Sequence, residues 1–411
     1  MSEHRIEWIA EGTITTPDGF QAAGVACGIK PQGALDLALV YSPRPCVGAA
    51  MFTTNAFQAA PVLYDRELLR HHADALHGVV INSGCANACT GDRGLEDSRA
   101  TAAAAGEALG ISADSVAVMS TGVIGVHLPM DKIRAGIKAA ARALASAPEA
   151  GHAAARAIMT TDTRPKECAA RITAPEGSYV IAGMAKGAGM IHPNMATMLA
   201  VLTTDVGLTP AVASRALRAA VEVSLNAITV DGDMSTNDTV LLLANGAVGR
   251  PTLVHTEGAA YDAFVEGLTQ VATELARGLV RDGEGATRLV EITVKGARTP
   301  AEAKQAAKAV ANSLLVKTAI YGQDANWGRI ACAVGYSGVP VDPTRVNIWL
   351  GDLELFHQGA PYGVNEARAS EILARPEITI TVELGAGEAQ ATVWTCDLSH
   401  KYVDINAHYR T

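Results

Sequence analysis

Aromatic side chains are scarce in this chain: they are 4% of 411 residues, although 49% of the residues are hydrophobic. Alanine carries much of the apolar content, so the core has to come from closely packed helices and strands rather than from large rings. No run of about 18 uninterrupted apolar residues occurs, and no membrane-spanning helix is expected. The opening MSEHRIEWIAEG has neither the basic stretch nor the apolar stretch of a secretory signal, so no leader is expected. The seven cysteines are odd in number and scattered, with no C-x-x-C pair, which points to reduced thiols in a cytoplasm. Cys85 and Cys89 are close in sequence but lack a second pair or nearby histidines, so no metal is expected. G-x-x-x-x-G-K-[ST], H-E-x-x-H and G-x-S-x-G are all missing. Gly187-x-Gly189 begins a dinucleotide loop, but His192 stands where the third glycine belongs. Basic residues number 33 against 42 acidic ones, for a net charge of −9. Nucleic acid and anionic membranes are therefore poor candidates as partners.

What is present reads as a mixed α/β protein. Ile133, Ile137, Ala140 and Leu144 share one face of a helix expected over Met130 to Ala147. Thr209-Pro210 and Thr299-Pro300 each look like a helix start, a threonine cap followed by proline in the first turn. Glu302 lies where it would complete a capping box with Thr299. A long amphipathic helix is expected from about Gly258 to Val280. Ile378, Ile380, Val382 and Leu384 alternate with polar residues, as do Val290, Ile292 and Val294, so each set marks a strand with one wet face. Tyr179 to Ala182 and Met198 to Thr203 are short and apolar, like strands buried on both faces. The Gly-rich turn RDGEGATR, Arg281 to Arg288, suggests a boundary between a region 1–285 and a smaller C-terminal α+β domain, 286–411. VDGDMSTND, Val230 to Asp238, lacks the ending of a calcium loop and reads as a hydrogen-bonded polar turn.

Lys186 to Ala200, KGAGMIHPNMATMLA, poses a sharper question. Thr197 alone reads as a β-branched residue opening a buried strand. Gly187 and Gly189 permit a tight turn before it, Pro193-Asn194 marks another, and the small Ala196 leaves the preceding carbonyl open to the Thr197 hydroxyl. An N-to-O acyl shift followed by hydrolysis would cut the chain between Ala196 and Thr197. The freed α-amine, with an ordinary pKa of about 7.7–8.0, could then take the hydroxyl proton of its own residue. Nucleophile and base would belong to one residue. Acyl chemistry also needs an oxyanion hole, and Thr121-Gly122 in VMSTGVIG offers a hydroxyl and an N–H; the plain alternative is a glycine turn.

KGAGMIHPNMATML resembles the self-cleavage segment of the ornithine acetyltransferase (ArgJ) family, the glutamate N-acetyltransferases of arginine biosynthesis. INSGCANACTG, MSTGVIG, IMTTDTRPKE, ITVDGDMSTNDT, DGEGATR, DANWGRI and the terminal VDINAHYRT look like family segments in family order, from about Asn82 to Thr411. The resemblance implies layered sheets flanked by helices, a DmpA/ArgJ-like fold akin to N-terminal-nucleophile hydrolases but with its own connectivity. It implies Thr197 as nucleophile and first residue of a β chain, with the α chain ending at Ala196. Thr121 and Gly122 become the oxyanion hole. Thr160, Lys186, Thr197, Glu284, Asn406 and Thr411 become the substrate contacts. Lys186 suits an α-carboxylate. Glu284 or the terminal carboxylate suits an amine, and the residues leave open which one takes it.

The expected reaction is a ping-pong transfer of acetyl from N-acetylornithine to glutamate through acetyl-Thr197, releasing ornithine and N-acetylglutamate. No metal or cofactor is implied; acetyl-CoA is a second acetyl donor in some members. The two fragments are expected to stay together, as an α2β2 assembly. Two other readings fit the residues: a self-processing amidase or aminopeptidase in which water resolves the acyl-enzyme, and a binding protein with Thr197 buried and intact.

Overall fold

The computed structural model describes residues 4–192, 198–363 and 365–408. Two large sheets organise them, beside a short pair of Gly207–Leu208 with Thr252–Leu253. The larger runs in the order Arg5–Ile9, Lys166–Ala174, Gly177–Lys186, Leu199–Thr204, Thr239–Ala244, Leu37–Phe52, Leu76–Cys85 and Val116–Val123, with Gln21–Val25 also paired to Leu37–Phe52. Leu199–Thr204 and Thr239–Ala244 lie parallel at its centre, and every residue in both is buried. That is why neither shows a polar alternation: each packs on both faces. Ala200 and Leu202 face a core shared with Leu217, Val271 and Leu275, from helices Pro210–Glu222 and Ala259–Arg281. Leu199 and Val201 point the other way, into a second core with Phe20, Val40, Ile81 and Met119.

Strand Leu37–Phe52 joins the layers. Its first part pairs with Gln21–Val25 and Leu76–Cys85, and its second part with Thr239–Ala244. The register shifts between Tyr41 and Cys46, the kind of irregularity that lets a strand bend from one layer into another. The smaller sheet, within 289–396, has the order Ala360–Pro361, Leu353–His357, Asn347–Leu350, Glu377–Glu383, Leu289–Ala297, Ala389–Cys396. Helix Pro300–Asn312 covers it with Ala303, Ala306, Ala307 and Val310.

Most of the expected elements are present. Both Thr-Pro starts are capped: Thr209 accepts from Val212 N–H and Thr299 from Glu302 N–H. The capping box is a different matter, because the Glu302 carboxylate turns to Arg298 in a two-pronged pair instead of reaching back to Thr299. The helix expected to Ala147 ends at Ala143, with Ile133, Ile137 and Ala140 buried as expected and Leu144 just past the end. Alternation in Leu289–Ala297 and Glu377–Glu383 buries Val290, Ile292, Val294, Ile378, Ile380 and Val382. No described helix is long and apolar enough to cross a membrane.

Candidate active site

A cleft of about 730 Å³, open to solvent, lies where the ends of several strands meet. Its walls include Thr121, Gly122, Thr160, Lys186, Glu284 and Asn406, six of the residues singled out from sequence. They come from five separated stretches of chain.

Thr121 and Gly122 end the strand Val116–Val123, paired in parallel with Ser83 and Gly84. Gly122 has φ +130°, and a Cβ there would meet the Gly84 carbonyl carbon at 2.3 Å and Cys85 N at 2.6 Å. Only glycine fits this close approach of two backbones. Asn237 locks the neighbourhood, donating to the carbonyls of Ala86 and Ser120 at 2.6 and 2.8 Å.

Lys186 ends the strand Gly177–Lys186 and is 3% exposed. Burial lowers its pKa, while Asp162 opposes the fall. Its ammonium donates to Thr160 Oγ1 at 2.7 Å and to Thr121 Oγ1 at 3.1 Å. An ammonium has three donors and no acceptor, so both hydroxyls must aim their own protons elsewhere. Among the described residues Thr121 is thereby left to donate to an oxygen in the cleft, and one lysine N–H remains for a carboxylate or an acyl oxygen.

Asp162 sets the position of this group. Its carboxylate accepts from Thr160 N–H at 2.9 Å and Gly187 N–H at 2.7 Å, and pairs with Lys166, which also pairs with Asp282. Burial alone would raise Asp162, but Lys186 and Lys166 carry it down to about 2.

The far wall is acidic. Glu284 sits under Gly189, so tightly that a Cβ on Gly189 would lie 2.4 Å from its carboxylate, and it accepts the Asn406 amide at 2.8 Å. Asp231 accepts from Met190 N–H, Ile191 N–H and the Tyr402 hydroxyl, at 2.6, 2.9 and 3.2 Å. Burial raises its pKa. Tyr402 and Asn406 come from the helix His400–His408, so the end of the chain forms part of the wall.

Ala196, Thr197 and Thr411 lie outside the described residues. Their neighbours place the chain: Leu199 pairs across the sheet with Lys186, and Met198 N–H is held by Asp238 at 3.0 Å. Sequence reading passed over Asp162, Asp231, Asp233, Ser235, Asn237 and Tyr402. The signal for four of them was there: VDGDMSTND is a hydrogen-bonded polar turn as expected, and it also lines the cleft. Among the described residues, no group of three or more His, Cys, Asp or Glu is arranged to hold a metal.

The profile of the ArgJ family matches residues 21–411. The chain belongs to the ArgJ family. An arginine biosynthesis bifunctional protein ArgJ from Symbiobacterium thermophilum is 52% identical over 408 residues, covering 99% of this chain and all of that protein. Another of the same name, from Geobacter sulfurreducens, is 54% identical over 395 residues, 96% of this chain and 99% of the relative. A crystal structure of an arginine biosynthesis bifunctional protein argJ from Bacillus halodurans is 42% identical. It matches 51% of this chain with 98% of its own, at a TM-score of 0.50.

Proposed function

We propose that this ArgJ-family chain is a self-processing glutamate N-acetyltransferase of arginine biosynthesis. It moves acetyl from N2-acetyl-L-ornithine to L-glutamate through an acetyl-Thr197 intermediate. The observation that carries the reading is the convergence of Thr121, Gly122, Thr160, Lys186, Glu284 and Asn406 on one cleft, beside the strand that follows Thr197.

The chemistry follows from the types of residue. Thr197 Oγ attacks the acetyl carbonyl carbon, and its α-amine takes the hydroxyl proton. Thr121 Oγ1–H and Gly122 N–H receive the developing oxyanion. The amine returns its proton to the departing α-nitrogen of ornithine. Glutamate enters in turn, its α-amine attacks the acetyl ester, and N-acetylglutamate leaves. Both amino acids carry an α-carboxylate for the remaining Lys186 N–H. The acidic wall suits the side-chain ammonium of ornithine.

The cut between Ala196 and Thr197 is supported by length. The Bacillus halodurans chain is about half as long as this one, as one fragment of a chain cut near its middle would be. We further propose that the two fragments remain associated in an α2β2 assembly in the cytoplasm, since Leu199–Thr204 is buried between strands from both sides of the cut. We propose that the transfer uses no metal or cofactor, with acetyl-CoA as a second acetyl donor.

Mass measurement under denaturing conditions tests the cut: wild type gives two fragments meeting between Ala196 and Thr197, and Thr197→Ala stays whole. Incubation with N-acetylornithine and labelled glutamate then yields labelled N-acetylglutamate and ornithine in equal amounts. Release of acetate, with glutamate unchanged, would overturn the transferase in favour of a hydrolase.

A further inference from the structure

Met190 is bent in a way its side chain disfavours. Its φ is +55°, in the left-handed region that glycine enters freely and a residue with a Cβ enters at a cost. It lies on the wall of the cleft, and strain of this kind persists where the surroundings impose it. Asp231 imposes it here. Its carboxylate takes the consecutive N–H groups of Met190 and Ile191, one on each oxygen, at 2.6 and 2.9 Å. Ile191 returns the contact through its carbonyl, which accepts Val230 N–H at 2.8 Å. Successive backbone N–H groups close on one anion where a turn enters the left-handed region.

Asp231 itself has no capacity for a further donor. Oδ1 also accepts Asp233 N–H at 3.2 Å, and Oδ2 the Tyr402 hydroxyl at 3.2 Å, so each oxygen takes two donors. A carboxylate offers about four lone-pair positions in all. Glu284 differs: among the described residues its carboxylate takes one donor, the Asn406 amide. Glu284 is therefore the acid with capacity for a substrate ammonium, and the Met190 turn decides where it stands. Its N–H donates to the Ala188 carbonyl at 2.8 Å and its carboxyl lies under Gly189, both just before Met190. Asn406, on its other side, sits four positions after Tyr402 on one helix and reaches the Tyr402 carbonyl at 3.0 Å. Through Tyr402, Asp231 steadies that neighbour as well.

We propose that Asp231 is a positioning residue for donor specificity: by holding the left-handed turn at Met190, it seats Glu284 where the side-chain ammonium of the acetyl donor arrives. The proposal rests on the reading of the acidic wall as the place of that ammonium. Asp231→Asn breaks the grip with little change of size. An asparagine side chain presents one acceptor oxygen and one donor nitrogen, so in either orientation the N–H of Met190 or of Ile191 loses its partner. The turn then relaxes and Glu284 shifts, while Thr121, Gly122 and Lys186, on other strands, keep their places.

N-acetylnorvaline is the probe, because norvaline has the carbon chain of ornithine without the terminal amine. The full chain is expressed as wild type, E284Q, D231N, D231N/M190G and M190V. For each, kcat/KM for acetyl transfer to labelled glutamate is measured with N-acetylornithine and with N-acetylnorvaline. E284Q is expected to lower the preference for N-acetylornithine about 10-fold or more, the usual worth of a charge-assisted hydrogen bond. D231N is expected to reproduce most of that loss of preference. D231N/M190G, in which glycine takes the turn without cost, is expected to regain part of it. An equal fall with both donors in D231N, or no recovery in the double variant, overturns the positioning role. Thermal melting reports whether D231N holds its fold. Where it does not, M190V decides, because it keeps Asp231 and disfavours the turn; a folded M190V with the wild-type preference overturns the proposal. If E284Q keeps the preference, the ammonium reading fails and the positioning role with it. If E284Q loses it and D231N does not, the positioning role alone fails.

Discussion

Replacing Asp162 by asparagine should loosen the substrate cleft from beneath, and the structure says by how much. The carboxylate holds Thr160 N–H, Gly187 N–H and Lys166 together, and Lys186 is near enough to be felt. The fall from an ordinary 3.8 to about 2 corresponds to about 2–3 kcal/mol, at ~1.36 kcal/mol per tenfold change in proton affinity. Removing one member of a buried ion pair typically costs about 3–5 kcal/mol. Here Lys166 keeps Asp282, so the lower figure is the better guide. Because the folded pKa is depressed, the stabilisation is full above the unfolded value and is lost as pH falls through 3.8 toward about 2. Urea unfolding at pH 7 should show D162N less stable by about 2–3 kcal/mol, and the gap should shrink to about half at pH 3. Loss of the Thr160 anchor should also raise KM for the acetyl donor. A difference below about 0.5 kcal/mol at pH 7, or one that does not shrink on acidification, would refute the reasoning.

Thr121→Val removes an oxyanion donor and one partner of Lys186, so kcat should drop about 100-fold or more with little change in KM; steady-state kinetics checks it. Gly122→Ala forces a Cβ into the Gly84–Cys85 backbone, and denaturant melts should show a loss of about 1–3 kcal/mol or more, together with inactivity. Thr299→Ala, far from the chemistry, should cost about 1 kcal/mol in a thermal melt and leave kinetics alone, the ordinary worth of a lost helix cap.

Local chemistry was legible in the chain itself. Pro210 and Pro300 behind threonines announce helix starts, and the alternation around Ile380 announces a half-buried strand, because caps and strand pleats act over a few residues. Thr121, Gly122, Thr160, Lys186, Glu284 and Asn406 were legible as candidates from motifs that resemble a family, and their gathering in one cleft is a matter of topology. Strand Leu37–Phe52 bending between layers, and the parallel pairing of Leu199–Thr204 with Thr239–Ala244, bring Asp238 to Met198 across forty positions of chain. No local pattern encodes such a contact. The same holds for the pull of Lys186, at the end of another strand, on Asp162, whereas Lys166 beside Asp162 and Arg298 beside Glu302 are local partners four positions away. Short-range sterics and capping are written in neighbouring residues; burial and charge pairing depend on which distant segments the closed sheet brings together, and only the tertiary structure decides that.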